Sequence, residues 1–198
     1  MQNFYKTARL TAFVVLALMY ISQAMGFGDM FNFNKMSFND YYYDDYYYSQ
    51  NHIHTYTILS SIVRLATFTM LTWLFLLLFR LASKGSRVRH AALLSLVGFA
   101  IYVLLSLFHM IRPYWGLAGN IVEIIGIIPL LISTMMILLM YPLKSFTEIG
   151  GFFFFAFSIL RIVFVFTSEY QALSIFEILA NLGLVAYIYG LSINNKEQ

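Results

Sequence analysis

The sequence predicts an all-α, polytopic membrane protein built as a bundle of six transmembrane helices, and three observations carry that reading. Hydrophobic residues make up 61% of the 198-residue chain against 11% charged, with a mean hydropathy of +0.75, whereas soluble domains carry about 25% charge. The apolar residues come in runs close to the ~20 residues that one helical crossing requires. The cations gather on alternate connections between those runs, the pattern left when positively charged loops stay on the cytoplasmic side.

The first run, Ala8 to Met25, follows Lys6 and Arg9 and ends at Ser22-Gln23-Ala24. That small-x-small ending also fits a signal-peptide cleavage site; cleavage would leave five spans and remove Tyr20 and Gln23 from the bundle. The second run, Thr55 to Leu81, is long enough to tilt or to project beyond the bilayer. His90 to Met110 forms the third, and Leu117 to Tyr141 the fourth, with Pro129 inside it and Pro142 marking its end. The fifth, Gly150 to Thr167, is short and opens with the run Phe152 to Phe155, which suits an aromatic belt at the interface. Ala172 to Ser192 is the sixth. Gly116, Gly119, Gly126 and the Gly150-Gly151 pair predict close helix packing.

With the amino terminus inside, the inner side collects Lys6, Arg9, Arg80, Lys84, Arg87, Arg89, Lys144 and Lys196, leaving Lys35 and Arg112 outside. Both termini are thus predicted cytoplasmic, residues 1–198 form a single transmembrane domain, and the compact loops suit a bacterial inner membrane. The one sizeable outer loop, about 26–54, shifts to Phe, Asn, Asp and Tyr, centred on Tyr41 to Tyr48 with Asp44 and Asp45. Tyrosine rings at headgroup depth account for that composition. The functional alternative is a docking patch for a protein partner, since tyrosine offers large contact area at low entropic cost. His52-x-His54 lacks a third ligand fixed by spacing, so no metal site is assigned. There is no cysteine for disulfide or thiolate chemistry, and a net charge of +3 spread over sparse loops makes no nucleic-acid surface.

The chemistry-bearing residues are the charges inside the apolar runs: Arg64, Glu123, Arg161 and Glu177. A charge in a spanning helix costs several kcal/mol or more unless it is paired, hydrated or snorkelling, so such residues mark candidate sites. Helical spacing aligns them with other polar groups. Thr57, Ser60, Ser61, Arg64 and Thr67 share one face, as do Ser95, Tyr102, Ser106 and His109, Asn120 with Glu123, Ser158 with Arg161, and Ser174 and Asn181 with Glu177. The rise of ~1.5 Å per residue puts all four charges in the outer half of their spans. The predicted ligand-binding set is therefore Arg64, Glu123, Arg161, Glu177, His109, Asn120 and Asn181.

Two functions fit that set. One is binding or transport of a small solute, ion or lipid headgroup at an outer-half polar site, with arginine taking carboxylate or phosphate and glutamate a proton or cation. The other is a non-catalytic scaffold or assembly subunit whose charges form a structural ion-pair network. An intramembrane enzyme with His109 or Glu177 as general base is a third class, but no H-E-x-x-H, G-x-S-x-G or Gly-rich phosphate loop is present, and the sequence leans away from it. Nothing in it names a cofactor. Six spans in about 200 residues, with Ala8-x-x-x-Ala12 in the first, resembles in outline the substrate-binding subunits of vitamin transporters. Such a pair of small residues arises by chance in apolar helices, so no site is carried across.

Overall fold

The computed structural model describes residues 2–25, 48–111, 116–140, 146–165 and 170–193. Six helices follow one another, α1 (Gln2–Ala24), α2 (Tyr48–Leu81), α3 (Arg87–Ile111), α4 (Gly116–Leu138), α5 (Phe146–Val165) and α6 (Tyr170–Leu191). No strand occurs among the described residues. Five helices contain stretches long and apolar enough to cross a membrane, Asn3–Ala24, Ile58–Leu81, Arg87–Ile111, Ile121–Leu138 and Phe146–Val163, and α6 adds the apolar stretch Ile175–Leu191. The chain is a helical-bundle membrane protein.

All six helices start earlier than hydropathy alone indicates, α1, α2 and α5 by the most, because a helix once nucleated adds residues at little cost whether or not they are apolar. α1 begins at Gln2 and carries Lys6 and Arg9 as exposed residues of its first turns. α2 begins at Tyr48, so residues 48–54, expected in the outer loop, are helical, and His52 and His54 lie on α2. α5 begins at Phe146, which moves the phenylalanine run away from the helix opening. Phe154 is in the core, while Phe152 and Phe153 face outward. The rest of the aromatic loop, including Tyr41 to Tyr47, lies outside the described residues, as do Lys35, Arg112, Pro142, Lys144 and Lys196. α4 continues through Pro129.

Among the described residues each helix packs against two others, α1 on α2 and so on in chain order, with α6 closing on α1. The result is a ring of six helices. Contacting residues across each seam run in opposite sense, as Gly183 near Phe154 and Gly190 near Thr147 illustrate, so neighbours are antiparallel. The end carrying the α2–α3 hairpin, with the start of α1, is the basic end. Side chains from all six helices fill the interior, among them Ala12, Phe68, Phe99, Leu130, Phe154 and Ile188. Ala8 and Ala12 are buried there, so the small-residue pair of α1 is used within the bundle and presents no docking surface.

Two seams dominate. The α5–α6 interface is the most extensive because glycine lets the backbones touch: a Cβ on Gly190 would strike the backbone of Thr147, and one on Gly183 that of Phe154. Across α2–α3 an aromatic stack performs the same joining, with Phe68 against Tyr102 at 4.9 Å and Phe75 against Phe99 at 5.5 Å between ring centroids. The seams of α1 and the α4–α5 seam are narrower.

Candidate ligand site inside the helical ring

The polar faces expected from helical spacing all turn inward where their side chains are described. Ser60, Ser61, Arg64 and Thr67 of α2, Ser95, Tyr102, Ser106 and His109 of α3, Glu123 of α4, Ser158 and Arg161 of α5, and Glu177 and Asn181 of α6 are each 5% exposed or less. The opposite faces carry Ile62, Trp73, Leu104, Ile125, Val163 and Ile178, all exposed. In a bilayer this inversion keeps charge away from lipid and gives hydrocarbon to hydrocarbon.

Arg161 is the centre of the charged layer. Its Nη2 donates to Glu123 Oε2 on α4 at 3.4 Å, and its Nε lies 3.8 Å from Glu177 Oε1 on α6. The guanidinium is thus shared between carboxylates of two different helices. The Tyr102 hydroxyl donates to the Glu123 carbonyl at 2.9 Å and ties α3 to α4 at this level. Tyr102 stacks on Phe68, one turn along α2 from Arg64, and the Arg64 charge reaches the His109 imidazole. The two arginines balance the two glutamates when both carboxylates are ionised.

Hydroxyls of the layer fall into two groups. Thr67 donates to the Val63 carbonyl at 2.9 Å and Ser106 to that of Tyr102 at 2.8 Å, which satisfies each within its own helix. The hydroxyls of Ser61 and Ser158 are buried and make no hydrogen bond with any described residue. Each lies one turn from an arginine, Ser61 from Arg64 and Ser158 from Arg161.

Arg161, Glu123 and Glu177 are therefore brought together as expected, and Arg64 is set near His109. The side chain of Asn120 lies outside the described ones, although its backbone belongs to α4. Asn181, one turn from Glu177, faces a separate mainly apolar cavity of about 180 Å³ between α1 and α6, lined also by Leu16, Met19, Ser22, Gln23 and Leu182. The side chains of Thr57, Ser174, His52 and His54 are likewise outside the described ones, and no cluster of three metal-ligating side chains occurs among those that are described.

Sequence reasoning missed two buried polar features at the basic end. Ser133 of α4 donates to the Ala91 carbonyl of α3 at 2.7 Å and lies 2.6 Å from the Ser95 hydroxyl. Since Ser133 has one proton, Ser95 is the donor of the second bond. Thr147 and Glu148, in the first turn of α5, are also buried. A carboxylate there is favoured by the helix dipole, and its place just ahead of Gly150 was the available signal.

No family model matches the chain, and no characterised protein or solved structure does so either.

Proposed function

We propose that the protein binds a small polar or ionised ligand, a solute, an ion or a lipid headgroup, inside the helical ring at the level of Arg161, Glu123 and Glu177. The supporting observation is a pair of buried hydroxyls, Ser61 and Ser158, that bond no described residue and lie one turn from Arg64 and Arg161. A purely structural network gains from satisfying every member, because a half-satisfied buried network is less stable than an apolar core. A binding site leaves donors for its ligand. Arginine supplies recognition of carboxylate or phosphate, and the glutamates accept a cation or proton.

The Lys and Arg distribution supports a cytoplasmic basic end, which turns the charged layer toward the outside and suits uptake or transport, and the compact loops suit a bacterial inner membrane. The outer tyrosine-rich loop is a place for a protein partner.

The second reading is the scaffold, favoured by the near-complete burial of all four charges. A double-mutant cycle separates the two. If the layer binds a ligand, Arg161→Gln and Glu177→Gln give folded, inserted protein that loses a small molecule detected by native mass spectrometry of the purified wild type. If it is a scaffold network, each single change destabilises by about 3–5 kcal/mol and the double variant recovers much of the loss, because no lone buried charge remains. Stable single variants with the same bound molecules as wild type would defeat both readings.

A further inference from the structure

The interior charges are balanced, but the α2–α3 hairpin at the basic end is not. From residue 46 to residue 122 the chain contains no Asp or Glu, yet Arg80, Lys84, Arg87 and Arg89 fall within ten positions of one another around a five-residue connection, 82–86. Arg80, Lys84 and Arg87 are exposed and Arg89 is half-buried. None of the four pairs with a carboxylate of a described residue. Arg89 instead lies 4.3 Å over the Phe79 ring, which sets its guanidinium beside the apolar surface and leaves its charge uncompensated.

The hairpin is also held in shape. Gly85 adopts φ +79°, a left-handed conformation that other residues enter at a cost. Ser86 then caps α3: its hydroxyl accepts from the Arg89 amide at 3.2 Å and donates to the Ser83 carbonyl at 2.8 Å. His90 Nδ1 lies 2.9 Å from the Ser86 carbonyl oxygen. The four cations are thereby presented by a fixed turn, so little of their attraction is offset by ordering a loop.

What lies opposite such a surface follows from its depth. Leu81 and Leu93, exposed and apolar, flank the turn within the spanning helices. The turn thus sits at the boundary between hydrocarbon and water, where the phosphates of the surrounding lipids lie. We infer that the α2–α3 hairpin is a binding site for anionic phospholipid headgroups, with Lys84, Arg87 and Arg89 around the phosphate and Arg80 at its edge. Juxtamembrane cations attract anionic lipid in this way, and the effect weakens as salt screens it. This site is independent of the interior ligand.

Protein purified in detergent is offered an equal mixture of phosphatidylglycerol and phosphatidylcholine, and the lipid it retains is measured. The expected result is enrichment of phosphatidylglycerol that falls at molar salt, and a loss of about fivefold for each cation removed in Arg80→Gln, Lys84→Gln, Arg87→Gln and Arg89→Gln. Lys6→Gln with Arg9→Gln, exposed cations of the same end outside the hairpin, should change the ratio less. Equal retention of both lipids overturns the proposal, as does enrichment in the unaltered protein that survives molar salt. An equal loss in the Lys6 and Arg9 variant would assign the attraction to diffuse charge and also overturn it. So would tight binding of poly-glutamate without lipid enrichment, which would point to an acidic protein instead.

Discussion

At the basic end Ser133 donates to the Ala91 carbonyl at 2.7 Å and Ser95 lies 2.6 Å from Ser133, whereas at the opposite end Arg161 lies 3.4 and 3.8 Å from its two carboxylates. Both sets are buried and both join neighbouring helices. The neutral set is short and lies on the α3–α4 seam, where a Cβ on Gly98 would strike the Gly126 carbonyl oxygen and the Leu130 side chain; on the α5–α6 seam of the same end Gly190 lies against the Thr147 backbone. The charged set is longer and leaves the Ser158 hydroxyl without a bond to a described residue. Neutral hydroxyls meeting a carbonyl saturate their capacity in one geometry, whereas a guanidinium with five donors does not. The contrast assigns cohesion to the basic end, and at the other end it is what the proposed ligand site draws on.

The largest test of that contrast is steric. Gly190→Leu places a branched side chain against the Thr147 backbone, which cannot yield as a side-chain tip would. The expected loss is upwards of about 3 kcal/mol, read as failure to give monodisperse protein in detergent. A stable Gly190→Leu protein would remove the glycine seam from the account of cohesion.

One substitution made at both ends gives a finer comparison. Ser133→Ala removes the hydroxyl that bridges the Ala91 carbonyl and the Ser95 hydroxyl of α3, at an expected cost of about 0.5–1.5 kcal/mol in thermal unfolding. Ser158→Ala removes a buried hydroxyl that bonds no described residue, so stability should hold within about 0.5 kcal/mol or rise. Ser158→Ala should nonetheless weaken the bound ligand. Equal destabilisation by the two changes would mean that the ends do not differ.

The smallest perturbation asks which side each end faces. The chain has no cysteine, so single cysteines can be read directly. Ser86→Cys in the hairpin should be shielded from an impermeant thiol reagent in intact cells, and Ser49→Cys near the start of α2 should react. The reverse pattern would turn the charged layer toward the cytoplasm.

Much of this was legible in the sequence because helical geometry is local. A period of about 3.6 residues decides that Ser61 and Arg64, or Ser158 and Arg161, share a face, and the cost of charge in hydrocarbon decides that the face turns inward. Run lengths determined the helical membrane class for the same reason. Other features depend on which helices become neighbours, which no local period encodes. The order of helices around the ring made Arg161 the shared partner of Glu123 and Glu177 and set Arg64 near His109. It also buried Ala8 and Ala12, brought Ser133 to the Ala91 carbonyl, and made Gly183 and Gly190 contact points although neither stood out in the sequence. The sequence by itself determined which groups must leave the lipid, because that penalty acts on each residue alone; only the tertiary structure decided whom each group meets, because a partner's position depends on a second helix.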